Sequence, residues 1–368
     1  MLELQKFIIE NPNDFREKLA EKPYSIKIVE DNYHILFKYN QIESDFNLKL
    51  VRECRGIILY KDDYSVASRR FEKFGNFGES YVPDIDWGSA SVQEKIDGSL
   101  LVRWYSRALN LWMVSTNGTI DAHDADLNYP NFSSFADLFW YTIDNAMGKY
   151  DSLSNLDEDK TYLMELATPA NRIIVPHKEF MLYHLATKVN ETGEEVEVDL
   201  GLPKPKRYPL RSIDDCVEAS KALPFNDEGY VVVDKYLNRN KIKSPAYLRV
   251  HRLRGEGVLT NRRVLDMIRE NEQDEYLAYY PEDREAFESM EESLNVFFSR
   301  ILGDLVLLEE KKDFFENRKE AAFWIKEHTI YPAVCFALLD GQVTSGNFES
   351  WFMEFNNDKL LKIIGVGI

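Results

Sequence analysis

The residues able to do chemistry in this 368-residue chain form a short ordered set. Lys95 stands in E-K-I-D-G-S (94–99), just before the apolar run LLVRWYS (100–106). Glu165 follows in LMELATP, Glu228-Gly229 opens GYVVV, and Lys241-Ile242-Lys243 comes next. Upstream, E-C-R-G (53–56) precedes an apolar run and F-E-K-F (71–74) precedes a Gly-rich stretch. Alternate residues of a strand share a face, so Lys241 and Lys243 make a paired cationic clamp. A lysine amine attacks phosphorus only when neutral, whereas its ordinary pKa is about 10.4. Crowding by Lys241 and Lys243, with partial desolvation, is expected to favour the neutral amine at Lys95. The same cations, with Arg55 and Lys73, suit the charge on a transferring phosphate and its leaving group. Asp97 and Gly98 form a turn in which Gly98 lets backbone approach a bound group. Glu165 and Glu228 are hard oxygen donors for a sugar hydroxyl or for Mg²⁺, and a polyanionic substrate calls for a divalent ion.

The elements that must position these groups read as α+β. Short β-rich runs occur at 24–30, 33–39, 55–60, 100–106, 111–118, 161–167, 180–186 and 229–236, joined by polar or Pro-rich loops. One or two helices are expected between His123 and Met147. After about Arg254 the pattern turns helical. Phe287, Met290, Leu294, Phe297, Ile301, Leu305 and Leu308 form one stripe of a long helix beginning after Pro281. Further helices are expected over 259–272, 314–328 and 348–363, the second opened by a capping box of Asp313 and Glu316. The expected organisation is an α+β domain of antiparallel sheets with flanking helices over 1–253, then a smaller all-helical domain over 254–368.

Composition narrows the class. Hydrophobic residues make up 44% and charged residues 29%, as in a globular chain. No window approaches the roughly 18 apolar residues of a membrane span, and the N-terminus lacks a secretory pattern, so a cytoplasmic protein is expected. Cys54, Cys216 and Cys335 are far apart and fit no metal spacing. The six histidines form no ligand cluster, His123, His177 and His184 read as packing or surface residues, and no Ser-His-Asp arrangement follows from spacing. The net charge of −18 argues against a nucleic-acid partner, yet residues 235–255 hold seven Lys/Arg and no acid. That strip reads either as a solvated basic face balancing acidic neighbours or as a phosphate-facing track.

In order, these strings resemble the covalent nucleotidyltransferases, which include nucleic-acid ligases and mRNA capping enzymes. ECRGI, EKF-N, KxDGSL, TP-NRI-V after Glu165, EGYV, and KIKS followed by an aromatic are similar to the RNA ligase 1 family of T-even-type bacteriophages, over roughly residues 33–250. The resemblance implies that Lys95 carries AMP in a phosphoramidate bond. It places Tyr39 and Gly98 beside the nucleotide, Arg55 and Lys73 on its phosphates or leaving group, and Glu165 on the ribose. Lys241 and Lys243 would hold the α-phosphate, and Glu228 would lie near the metal. Tyr247 matches an aromatic important to the family, in an RNA-binding or auxiliary role, and Asp274 matches a C-terminal metal-associated Asp.

The implied activity is an ATP-dependent RNA ligase, with ATP as co-substrate and Mg²⁺, or Mn²⁺ in its place. It would join RNA 5′-phosphate and 3′-hydroxyl ends, single-stranded or in tRNA, as a repair enzyme. A monomer without membrane association is implied, in the host cytoplasm if phage-encoded. Two positions depart from the family pattern: Asn117 stands where a basic residue is expected, and Gly75 replaces a second aromatic. The alternatives are a DNA ligase or mRNA guanylyltransferase, each usually bearing an oligonucleotide-binding barrel after the clamp, or a non-catalytic RNA-binding module.

Overall fold

The computed structural model describes residues 1–254, 259–270 and 272–367. The Gly255 end of the basic strip and Asn271 of the expected 259–272 helix lie outside the described residues. The chain divides into two compact units, Met1–Arg249 and Val250–Ile368.

The first unit is built on antiparallel sheets. One is a meander of Ile26–Glu30, His34–Tyr39, Arg55–Tyr60 and Val66–Ser68. A second runs, in spatial order, Glu195–Val196, Met181–Val189, Lys160–Ala167, Ser99–Ser106 and Leu111–Ser115. A third runs Arg207–Tyr208, Ser91–Glu94, Gly229–Val233 and Arg239–Lys243. A two-stranded hairpin, Asp126–Tyr129 with Phe132–Ser134, completes the strands among the described residues.

Strand periodicity explains the layering. In the first sheet Ile35, Phe37, Ile57 and Leu59 face Leu4, Ile8, Phe15 and Leu19 of two N-terminal helices, Glu3–Glu10 and Phe15–Ala20. Leu36, Ile58 and Tyr60 point the other way, against Val102, Trp104 and Met113 of the second sheet. Both faces are therefore covered, and the strand reads as a continuous apolar run. The far side of the second sheet packs Met164, Leu166 and Leu182 against Leu138 and Phe139 of the helix Phe135–Trp140. Each fully buried side chain of this size contributes about 1.5–3 kcal/mol.

The second unit is helical. Helix Arg284–Lys311 buries the expected stripe from Phe287 to Leu308. Two expectations fail there. The helix expected from residue 314 begins at Arg318, because Asn317 accepts from the amides of Lys319 and Glu320, while Asp313 lies in a 3-10 turn, Lys312–Phe314. The helix expected over 348–363 is two helices, Phe348–Met353 and Asn357–Ile364, the second capped by Asn356. Local capping outcompetes continuation in both places. Helices Gln273–Tyr279 and Pro332–Leu339 went unread in the sequence. No described helix is long and apolar enough to cross a membrane.

One buried polar chain joins the first two sheets. His34 Nδ1 lies 2.8 Å from Asp31 Oδ2, and His34 Nε2 lies 2.9 Å from Ser106 Oγ. The sequence offered no Ser-His-Asp arrangement by spacing, and here one exists. His34 and Ser106 are both 0% exposed, and Ser106 Oγ also accepts from the Leu109 amide at 3.2 Å. It is a structural clamp between sheets, since substrate has no route to the hydroxyl. Removing one partner of a buried hydrogen bond costs about 1–3 kcal/mol. Ser106→Ala is expected to lower unfolding free energy by about that amount, read from urea midpoints.

Candidate active site

The site forms where the chain changes sheets. Ser91–Glu94 belongs to the third sheet and Ser99–Ser106 to the second, so Lys95–Gly98 is the crossover between them. The Lys95 amide is fixed to the Gly229 carbonyl at 2.9 Å. Its Nζ lies 2.6 Å from Glu228 Oε2, while Lys243 Nζ lies 3.0 Å from Glu228 Oε1. Glu228 is 4% exposed, so its charge persists only with partners. Burial alone would raise its carboxyl, but the Lys95 and Lys243 ammoniums outweigh that and hold it below its ordinary value.

Lys95 therefore departs from the sequence expectation. Burial pushes its ammonium down, but the charges of Glu228 and Glu165 pull it above its ordinary value. Carboxylates at close range win over burial, and Lys95 rests as an ion-paired ammonium. The depressed amine is Lys241, brought to about 7 by burial and by the charges of Lys73, Lys95, Arg55 and Lys243. Lys241 Nζ lies 5.4 Å from the centre of the Phe74 ring. Glu165, on Lys160–Ala167, is raised to about 8, chiefly by burial.

Lys95, Lys241, Lys243, Glu165, Arg55 and Gly98 line one cavity of about 300 Å³, with Phe71 and Phe74 on its wall. Arg55 stacks on Phe74, 5.0 Å from the ring centre, and its Nη1 is buried with no hydrogen-bond partner. Glu53 does not pair with it, because Glu53 accepts from the Leu4 amide at 2.9 Å at the start of the first helix. Arg70, unremarked in the sequence, is 3% exposed and bonds only Ser115 Oγ at 2.5 Å, leaving Nε and Nη1 unpartnered. Burial, then the Arg55 charge, lowers it to about 9.

Asp97 is the fixed point of the crossover. Its Oδ2 accepts from the amides of Ile174 at 2.9 Å and Val175 at 2.7 Å, and its Oδ1 accepts from the Tyr247 hydroxyl at 2.9 Å. His177 Nε2 lies 2.6 Å from the Asp97 carbonyl. Tyr247 is thus 2% exposed and braces the crossover from below, while Lys243 Nζ sits 5.1 Å from its ring centre. Gly98 is required for another reason than the one expected: a Cβ there would stand 2.5 Å from the Leu166 carbonyl oxygen. Sheet packing, before any ligand, demands glycine.

The remaining positions scatter. Lys73 lies 5.2 Å from the Tyr39 ring centre and 4.8 Å from that of Phe46, and both Lys73 and Tyr39 are outside the 300 Å³ cavity lining. Burial raises the Tyr39 hydroxyl, against the Arg55 charge. Gly75 has no room for the absent aromatic, since a Cβ would come within 2.4 Å of Glu79 Oε2 and 2.5 Å of Val82 Cγ2. Asn117 lines the cavity with a buried, unpartnered Oδ1. Asp274 is exposed in the first turn of Gln273–Tyr279 in the second unit. Among the described residues no three His, Cys, Asp or Glu side chains gather as a metal cage. Three cations of the basic strip are paired: Lys235 with Asp86, Arg239 with Glu195, and Lys243 with Glu228.

Comparison with known proteins gives relatives of consistent name. The chain is 30% identical, over 301 residues, to a protein of Autographa californica nuclear polyhedrosis virus named as a bifunctional polynucleotide kinase/RNA ligase. That match covers 76% of this chain and 42% of the viral protein, so the chain corresponds to less than half of that relative's length. It is 24% identical over 359 residues to the RNA ligase of Rhodothermus phage RM378, covering 78% of this chain and 80% of that one. Among solved structures, an archaeal ATP-dependent RNA ligase matches at a TM-score of 0.42 and 14% identity, over 78% of each chain. No family model matches. The sequence similarity is thus to proteins named RNA ligase, viral and phage alike.

The Glu165 environment predicts a pH effect. A carboxyl raised to about 8 in the fold, from an ordinary 4.5, makes the folded state bind the extra proton. Its contribution to stability is complete below about 4.5 and is lost as pH rises through about 8. Glu165→Gln, a permanent mimic of the neutral acid, is expected to raise the melting temperature relative to the parent more at pH 9 than at pH 5. Equal differences at the two pH values in calorimetry would refute it.

Proposed function

We propose that the chain is an ATP-dependent RNA ligase that joins RNA 5′-phosphate and 3′-hydroxyl ends through lysyl-AMP at Lys95 and an adenylated RNA. One observation carries this reading: Lys95 shares the buried carboxylate of Glu228 with Lys243, beside a small cavity that also gathers Lys241 and Arg55. Such a cavity suits a phosphoryl group, and its nucleophile is already in place.

Lys95 Nζ attacks the α-phosphorus and pyrophosphate departs. Glu228 Oε2, at 2.6 Å, is the group placed to take the amine's proton. Lys243 stays on Oε1 throughout, so the buried carboxylate keeps a partner while Lys95 moves to phosphorus. Lys241 and the unpartnered Arg55 Nη1 meet the charge that develops on the phosphoryl oxygens. Glu165, on the wall of the same cavity, is placed to bond a ribose hydroxyl. AMP then passes to the RNA 5′-phosphate, and attack by the 3′-hydroxyl releases AMP and seals the strand.

Glu228 and Glu165 fit a divalent ion that shares its ligands with substrate phosphates and water, in place of an all-protein cage. Magnesium, or manganese in its place, would be held by these two carboxylates and would neutralise triphosphate charge. The finer reading follows the RNA ligase 1 family: a monomer repairing broken single-stranded RNA or tRNA in the host cytoplasm. Among the described residues after Arg249 the secondary structure is helical, which disfavours a DNA ligase or guanylyltransferase with a trailing barrel.

The test uses ATP labelled at the α-phosphorus with a divalent ion. The parent is expected to form an acid-labile adduct at Lys95 and then to circularise a 5′-phosphorylated oligoribonucleotide. Lys95→Ala should lose both to background. An adduct that survives in Lys95→Ala, or none in the parent, removes the reading.

A further inference from the structure

The first sheet carries a row of cations that the chemistry above leaves unexplained. In its antiparallel register Lys27 lies directly opposite Lys38, and Lys38 directly opposite Arg55. Opposed residues share a face with Cβ atoms about 4.5–5.5 Å apart, and like charges so placed destabilise a sheet. Lys27 and Lys38 are exposed, and no carboxylate among the described residues pairs with either. The repulsion is therefore left standing in the protein, and an anion laid across the row would relieve it.

The row also leads somewhere. Lys27, Lys38 and Arg55 line a cavity of about 680 Å³ whose acid among the described lining residues, Glu43, faces Lys22 at 3.9 Å. Arg55 and Asn117 line this cavity and the catalytic one alike. Each contributes a buried atom without a hydrogen-bond partner, a donor at Arg55 Nη1 and an acceptor at Asn117 Oδ1. Lys38 leans toward the same loop, its Nζ standing 3.2 Å from where a Cβ of Gly118 would be. Two inter-strand spacings, about 10 Å, separate Lys27 from Arg55. A row of that length, running outward from the catalytic cavity, suits a chain of phosphates better than a single one.

We propose that Lys27, Lys38 and Arg55 form the track along which the backbone of single-stranded RNA reaches Lys95. This rests on the RNA-ligase reading and replaces the 235–255 strip, in which Lys235, Arg239 and Lys243 are paired with acids, as the approach path. The nucleotide's own outer phosphates share the same chemistry, and the experiment separates the two sources.

The double variant Lys27→Gln/Lys38→Gln alters only exposed side chains. Anisotropy titrations with a 5′-phosphorylated single-stranded oligoribonucleotide are made across a salt series, beside lysyl-AMP formation at varied ATP. Affinity at low salt is expected to fall about ten-fold, and the slope of log K against log salt to flatten by about 1.4, two contacts at about 0.7 each. The ATP dependence of lysyl-AMP formation should match the parent. RNA affinity and slope equal to the parent's overturn the track while leaving the ligase reading intact. A raised ATP requirement also overturns it, giving the row to the nucleotide's phosphates. A parent that forms no lysyl-AMP removes the ligase reading and the track together.

Discussion

The site depends on one carboxylate held between two ammoniums. Glu228 is buried, with Lys95 at 2.6 Å on one oxygen and Lys243 at 3.0 Å on the other. Breaking a buried pair by deleting one partner costs about 3–5 kcal/mol, because it strands a charge in a poor solvent. With Lys243 on its second oxygen, Glu228 keeps a cationic partner when Lys95 swings away. The arrangement also explains why Lys95 rests protonated: close carboxylates raise it more than burial lowers it.

Charge is segregated in this molecule. The sequence carries −18 overall, yet one cavity gathers Lys95, Lys241, Lys243 and Arg55, and the Arg55 charge reaches the buried Arg70. Arg70 and Lys241 are lowered to about 9 and about 7, so the protein already strains to keep these groups charged. An anion bound among them would restore what burial takes away. Net charge speaks to solubility and long-range fields, while a site is decided within a few ångströms.

What the sequence made legible was local. Alternation placed Lys241 and Lys243 on one face, and the 3–4 spacing from Phe287 to Leu308 marked the long helix of the second unit. The motif order brought Lys95, Glu165, Glu228 and both clamp lysines to notice, and the structure brings them together. Partners across the fold were not legible. Nothing near Glu53 shows that it accepts from Leu4, nothing near Asp97 shows Tyr247 beneath it, and nothing near Lys235 or Arg239 shows the acids that pair them. Lys235, Arg239 and Lys243 looked free because their counter-charges lie far away in sequence. The cations without partners, Lys27 and Lys38, drew no notice because only strand register puts them side by side.

Gly56 shows how narrowly such a row is set. Phe37 pairs with Ile57, but Lys38 pairs with Arg55, so Gly56 is the extra residue of a bulge. Without it Arg55 would fall opposite Tyr39, on the face of Phe37 and Ile57, which packs against the N-terminal helices. With it Arg55 turns to the Lys38 face and lines both cavities. The bulge needs glycine twice over: φ is +82°, and a Cβ would stand 2.7 Å from the Asn117 carbonyl oxygen. One bulge residue without a side chain thus turns a guanidinium toward the cavities and away from the helices, with the Asn117 backbone packed against the glycine.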